Sequence, residues 1–190
     1  MRIVSGRFRG RTLSAPEGRT TRPTSDRARQ ALFDVLAHAA WAPEVADARV
    51  LDLFAGSGAL GLEAVSRGAA FCLFVETDET ARGAIRDNVE ALGLFGVTRI
   101  HRRDATDLGV RPASAGPPFG LAFLDPPYGQ GLGERALAGL AAGGWLAPGA
   151  VLAWERGAEE PDVETPGFER LDERRWGAAR VDFLRLADGG

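Results

Sequence analysis

The sequence predicts an α/β domain: a mostly parallel, seven-stranded sheet with helices on both faces, a C-terminal antiparallel hairpin and a short N-terminal β arm. Three observations predict it. Apolar, β-rich segments alternate with stretches of helical periodicity, the pattern of a parallel sheet covered on both sides. A glycine-rich turn, DLFAGSGALGLEA, follows the first of those segments and opens a helix. Two further segments, FERLDERRW and AARVDFLRL, flank Gly177 near the end, the mark of a closing hairpin.

Each element has its own warrant. Residues 2–13 alternate around Gly6 and Gly10 and read as a short hairpin or arm. In that arm Arg7, Arg9 and Arg11 alternate, so a strand places them on one face. Thr24 or Ser25 caps the first helix, along which Ala28, Ala31, Leu32, Val35, Leu36 and Ala39 recur at helical spacing. Five strands follow: ARVLDLF (48–54), AFCLFVE (70–76), TRIHRRD (98–104), GLAFLD (120–125) and AVLAWE (150–155). RPASAGPP (111–118) is a loop rich in Pro, Gly and Ser. The division expected is a basic arm over residues 1–23 and one domain over 24–190.

Composition narrows the function classes. A chain of 190 residues, 45% hydrophobic and 26% charged, is one ordinary globular domain. No apolar run approaches the roughly 20 residues needed to span a bilayer, and the basic N-terminus lacks the apolar stretch of a signal peptide. Cys72 stands alone, which excludes an internal disulfide and fits a reducing cytoplasm. His38 and His101 are far apart without cysteine partners, so no metal site is expected. Charge is unevenly spread around a net −3: residues 1–29 hold eight arginines against two acids, and residues 155–190 hold ten acids against six arginines. A basic arm on an acidic domain points to a polyanionic partner.

The ends of parallel strands carry the chemistry of such sheets. Gly56, Gly58 and Gly61 form G-x-G-x-x-G after the first strand, and Glu76 follows Gly56 by 20 residues at the end of the second. That spacing fits a dinucleotide or S-adenosylmethionine (SAM). Asp52 decides between them. A pyrophosphate on this loop would face its carboxylate, and no lysine or arginine occurs between residues 50 and 66 to offset the repulsion. SAM carries an ammonium and a sulfonium, which make Asp52 a partner. Glu76 then accepts from the ribose hydroxyls, and Asp104 with the backbone N–H of Ala105 meets the adenine. The expected cofactor set is Asp52, Phe54, Gly56, Gly58, Glu76, Asp104 and Ala105.

The fourth strand ends in DPPY, opposite the methyl group of a SAM laid across the first three. An aryl amine is a weak nucleophile because its lone pair is delocalised into the ring. Acceptors on its hydrogens can aim that lone pair and stabilise the developing charge. Asp125 supplies a carboxylate and Pro126 a carbonyl, Pro127 stiffens the loop, and Tyr128 offers a face for a base rotated out of its stack.

With DPPY, DLFAGSG, the opening RIVSGRFRGRTL and the following TRPTSDRARQALFDVL, the chain resembles the RsmD family of bacterial small-subunit (16S) ribosomal RNA guanine-N2 methyltransferases. The resemblance implies a Rossmann-like, class I SAM-dependent fold without a metal. It assigns the SAM loop to Asp52, Gly56 and Gly58, the ribose acid to Glu76, the adenine contact to Asp104 and the catalytic loop to Asp125–Tyr128. It makes the arm an RNA contact, through Arg7, Arg9, Arg11 and Arg22. It further implies a ribosomal RNA substrate within a small-subunit particle, a cytoplasmic enzyme and no obligate protein partner. Two other readings stand beside it: an N6-adenine methyltransferase, which 190 residues leave little room to equip with a target-recognition domain, and an NAD-dependent oxidoreductase.

Overall fold

The computed structural model describes residues 1–16 and 25–187. Helix α1 (Asp26–His38) precedes strand β1 (Arg49–Leu53), α2 (Ala59–Ser66), β2 (Phe71–Val75), α3 (Glu79–Leu92) and β3 (Thr98–His101). After a long loop come β4 (Phe119–Leu124), α4 (Leu132–Ala142), β5 (Leu146–Gly157), β6 (Phe168–Trp176) and β7 (Ala179–Leu186). The seven strands form one sheet in the order β3-β2-β1-β4-β5-β7-β6. Its first five are parallel, and β7 pairs antiparallel with both β5 and β6. The chain builds outward from β1 on one side and then returns to lay β4 on the other. The strand order therefore reverses between β1 and β4, where sheets of this kind open a ligand crevice.

The central strands read as near-continuous apolar runs, Asp52 of β1 excepted, because both their faces are buried. Successive residues alternate between two cores. Val50, Cys72, Phe74, Leu121 and Phe123 join α1, α2 and α3. Leu51, Leu73, Val75, Ala122 and Leu124 join α4 and the large ring of Trp145. Of the two caps offered for α1, Ser25 fills the position, its side chain accepting from the Ala28 N–H; Thr24 lies outside the described residues. Among the described residues no helix is long and apolar enough to cross a membrane.

The sheet, hairpin and helices are those the sequence predicts, with two local differences. β3 ends at His101, three residues short of Asp104. The strand expected through Arg7, Arg9 and Arg11 gives way to turns, and bridge pairing in the arm is limited to Arg2 with Thr12. The reason is where the arm's N–H groups go. Val4 and Ser5 donate to the Glu63 carboxylate at 2.8 and 3.0 Å, Arg7 to the Ser66 carbonyl at 2.9 Å, and Phe8 to Ser66 Oγ at 3.0 Å. The ends of the segment pair as a short hairpin, with Ile3 N–H on the Arg11 carbonyl and Leu13 N–H on the Met1 carbonyl, while its middle wraps the C-terminal end of α2. Gly6 makes the approach possible: its φ is +81°, and a Cβ there would lie 2.0 Å from the Ser66 carbonyl oxygen.

Candidate active site

The carboxyl ends of the parallel strands open into a cavity of about 740 Å³. Five acids line it, Asp52, Glu76, Asp104, Asp125 and Glu155, and among the described residues no basic side chain does.

The loop after β1 bends sharply at Phe54, which takes a φ of +57°, uncommon for a residue with a side chain. Ala55 N–H bonds to the Val75 carbonyl at 3.2 Å and Gly56 N–H to Glu76 Oε2 at 2.8 Å, pinning the loop to the end of β2. The glycines of the fingerprint serve close packing. A Cβ on Gly61 would lie 2.5 Å from Cys72 Sγ and from the Phe74 ring, so α2 sits directly on β2.

Alternation turns Asp52 toward the same face as Val50, under α2, where an apolar residue would be ordinary. It is 1% exposed, and its Oδ2 accepts from Gly61 N–H at 2.9 Å. Burial pushes its carboxyl up to about 8; the charge of Glu76 adds to the rise and the Gly61 bond opposes it. Glu76 uses both oxygens on backbone donors, Gly56 and Asp78, each at 2.8 Å. Asp104 accepts from the N–H and hydroxyl of Thr106 at 2.8 and 2.7 Å, bonds that hold its carboxyl below the usual carboxylate range. Ala105, next in the chain, is buried in the second core.

The fourth strand ends as the cavity's far wall. Asp125 is half-buried, and its N–H reaches the Leu53 carbonyl of β1 at 3.4 Å. Pro126 is buried and Pro127 exposed. Tyr128, 36% exposed, donates its hydroxyl to Glu155 Oε1 at 2.6 Å. Asp52, Phe54, Gly56, Glu76, Asp104 and Asp125–Tyr128 thus share one cavity. Arg7, Arg9 and Arg11 do not border it, although Met1, Ala15 and Pro16 of the same segment do. The three arginines are exposed. Arg7 stacks on Phe8 at the end of α2 remote from the glycine loop, about one eight-residue helix or ~12 Å away. Arg11 donates to the Ala91 carbonyl at 2.8 Å. Arg22 lies outside the described residues.

Three contributors escape the sequence reading. Glu155 is 9% exposed in the cavity wall; its signal is present, since AVLAWE, like the other four predicted strands, carries an acid at or near its end. Glu63 anchors the arm. Asn88, 2% exposed on α3, accepts from Ser14 N–H and donates to the carbonyls of Ser14 and Ser57, joining the arm to the glycine loop. For these two no local pattern exists, because their partners are distant in sequence.

A glycine loop at the turn after β1, an acid closing β2 and an Asp-Pro-Pro-Tyr loop closing β4, all on one cavity, define a Rossmann-like domain of the methyltransferase class. Residues 1–185 match the family model described as "Conserved hypothetical protein 95". The chain is 40% identical over 159 residues to "Ribosomal RNA small subunit methyltransferase D" of Escherichia coli (strain K12), spanning 84% of this chain and 76% of that one. It is 33% identical over 178 residues to the Haemophilus influenzae protein of the same name, spanning 93% and 89%. A solved Escherichia coli structure, yhhF, superimposes with a TM-score of 0.79 at 32% identity, covering 98% of this chain and 97% of that one. The chain belongs to this family, that of the ribosomal RNA small subunit methyltransferase D proteins.

Proposed function

We propose that the protein transfers a methyl group from SAM to the exocyclic N2 amine of a guanine in small-subunit (16S) ribosomal RNA. The observation that carries the reading is the shared cavity: the glycine loop and Glu76 on one wall, Asp125 and Tyr128 on the other. The relatives named for methylation of small-subunit ribosomal RNA supply the substrate class.

The donor set fits SAM. The volume of about 740 Å³ suits a ligand of that size. Walls lined with acids suit a ligand bearing positive charge and hydroxyl donors, and oppose a pyrophosphate. A cation beside Asp52 favours its charged form, against the burial that raises it. Asp52, Phe54, Gly56, Gly58, Glu76, Asp104 and Ala105 would hold SAM, which when bound supplies an electrophilic methyl carbon. Asp125 and the Pro126 carbonyl accept from the target amine, hold its lone pair toward that carbon and stabilise the charge that grows on nitrogen. Tyr128 provides the stacking face for the flipped base. Arg7, Arg9 and Arg11, with Arg22, dock the RNA backbone outside the cavity, within a small-subunit particle in the cytoplasm. Among the described residues no group of three His, Cys, Asp or Glu is placed to hold a metal.

The test is transfer of labelled methyl groups to small-subunit particles from a strain lacking this enzyme, followed by mapping of the product. One N2-methylguanine is expected. Label on an adenine, or none on RNA, would reject the reading.

A further inference from the structure

The proposed reaction gives a role to every acid in the cavity except Glu155. In the parallel pairing of β4 with β5, Leu124 lies opposite Trp154, so the next residues, Asp125 just past the end of β4 and Glu155 within β5, stand side by side. Alternation along each strand directs both to the face of Phe123 and Ala153. Both line the cavity, and Glu155 is almost buried there. The Tyr128 hydroxyl supplies one donor to Glu155. A carboxylate has about four lone-pair sites and can accept several donors at once.

Only one of the four common RNA bases presents an exocyclic amine beside a ring N–H. Guanine offers N2–H₂ and N1–H, two adjacent donors for two adjacent carboxylates. Adenine and cytosine carry an unprotonated ring nitrogen next to their amine and would turn a lone pair toward the second acid. We infer that Glu155 accepts the N1–H of the target base while Asp125 accepts from its N2 amine, making Glu155 the residue that selects guanine. The inference rests on the proposed guanine-N2 reading and adds the residue that enforces it. The bond from Tyr128 then has a second consequence: it orients the Glu155 carboxylate through the same residue on which the base stacks.

The experiment places guanine or 2-aminopurine at the mapped position of reconstituted small-subunit particles. 2-Aminopurine keeps the 2-amine but has a ring nitrogen acceptor where guanine has N1–H. Wild-type protein is expected to prefer guanine by roughly 10²-fold or more in kcat/KM, as sites that bind a substrate N–H reject the analogue lacking it. Glu155→Gln, whose amide both donates and accepts, is expected to bring that ratio within about tenfold while SAM affinity stays within a few-fold. Tyr128→Phe is expected to keep the wild-type ratio, because the Glu155 carboxylate remains. An unchanged ratio in Glu155→Gln, with methylguanine still formed, overturns the inference alone and leaves Glu155 a support for Tyr128. Equal use of both bases by wild-type protein overturns it without any variant. Absence of methylguanine with wild-type protein overturns the guanine reading beneath it as well.

Discussion

The two walls of the cavity are held in different ways. On the wall proposed for the cofactor, the acids accept from the backbone: Asp52 from Gly61, Glu76 from Gly56 and Asp78, Asp104 from Thr106. On the wall proposed for the base, Tyr128 and Glu155 meet side chain to side chain, and the tyrosine is more than a third exposed. Backbone donors in short loops fix a carboxylate before any ligand arrives. A side-chain pair at a rim can be rearranged when a base enters. The contrast teaches that one wall is fixed before any ligand arrives, while the other keeps a side-chain contact that a ligand can rearrange.

The largest expected effect lies on the second wall. Asp125→Ala should lower kcat by about 10²–10³-fold, the loss seen when one preorganised transition-state partner is removed. Asp125→Asn should retain part of the rate, since its carbonyl still accepts. SAM affinity should stay within a few-fold for both. Single-turnover rates beside melting temperatures decide the matter: equal losses in Asn and Ala that track stability would make the loop only a rigid turn.

On the first wall, Asp52→Asn should weaken SAM binding by about 1.5–3 kcal/mol, the worth of a hydrogen bond to a charged group. The same change should stabilise the free protein. A carboxyl raised from 3.8 to about 8 by folding is easier to ionise in the unfolded chain, so it lowers stability progressively as pH rises from the first value to the second. Asn carries no charge and still accepts from Gly61. The variant should therefore melt above wild type at pH 8, with the gap closing toward pH 4. Titration calorimetry and thermal unfolding across that range test both halves; a variant that loses stability and keeps SAM affinity would erase the contrast between the walls.

The smallest expected effect is outside both. Replacing Arg7, Arg9 and Arg11 together by Ala should flatten the salt dependence of RNA binding, by up to roughly 0.7–0.9 in slope for each phosphate no longer neutralised. SAM affinity should hardly change. An unaltered slope would remove the arm from the docking surface.

What the sequence showed follows from how local each cause is. Strands buried on two faces are largely apolar, so β1, β2, β4 and β5 stand out as runs. The glycine loop is visible because Gly58 and Gly61 answer steric demands at fixed spacing. The arm misled because Arg7, Arg9 and Arg11 alternate like a strand, while the N–H groups of Val4, Ser5 and Phe8 find partners on α2, 58 and 59 residues away. Asn88 was hidden for the same reason, its partners Ser57 and Ser14 being 31 and 74 residues off. Glu155 differs: its strand-end position was visible, and only its register beside Asp125 revealed the use.

The tethering of the arm also fixes an order of events during synthesis. Residues 1–14 are made first, yet the carboxylate that receives Val4 and Ser5 and the amide that clasps Ser14 emerge 58 to 74 residues later. Closing loops of that length precedes any reward from the contacts, so the arm settles after α2 and α3 have formed. Arg7 and Arg11 take their final positions against α2 and α3. The nascent chain cannot present this basic surface as a finished shape before the helices that hold it exist.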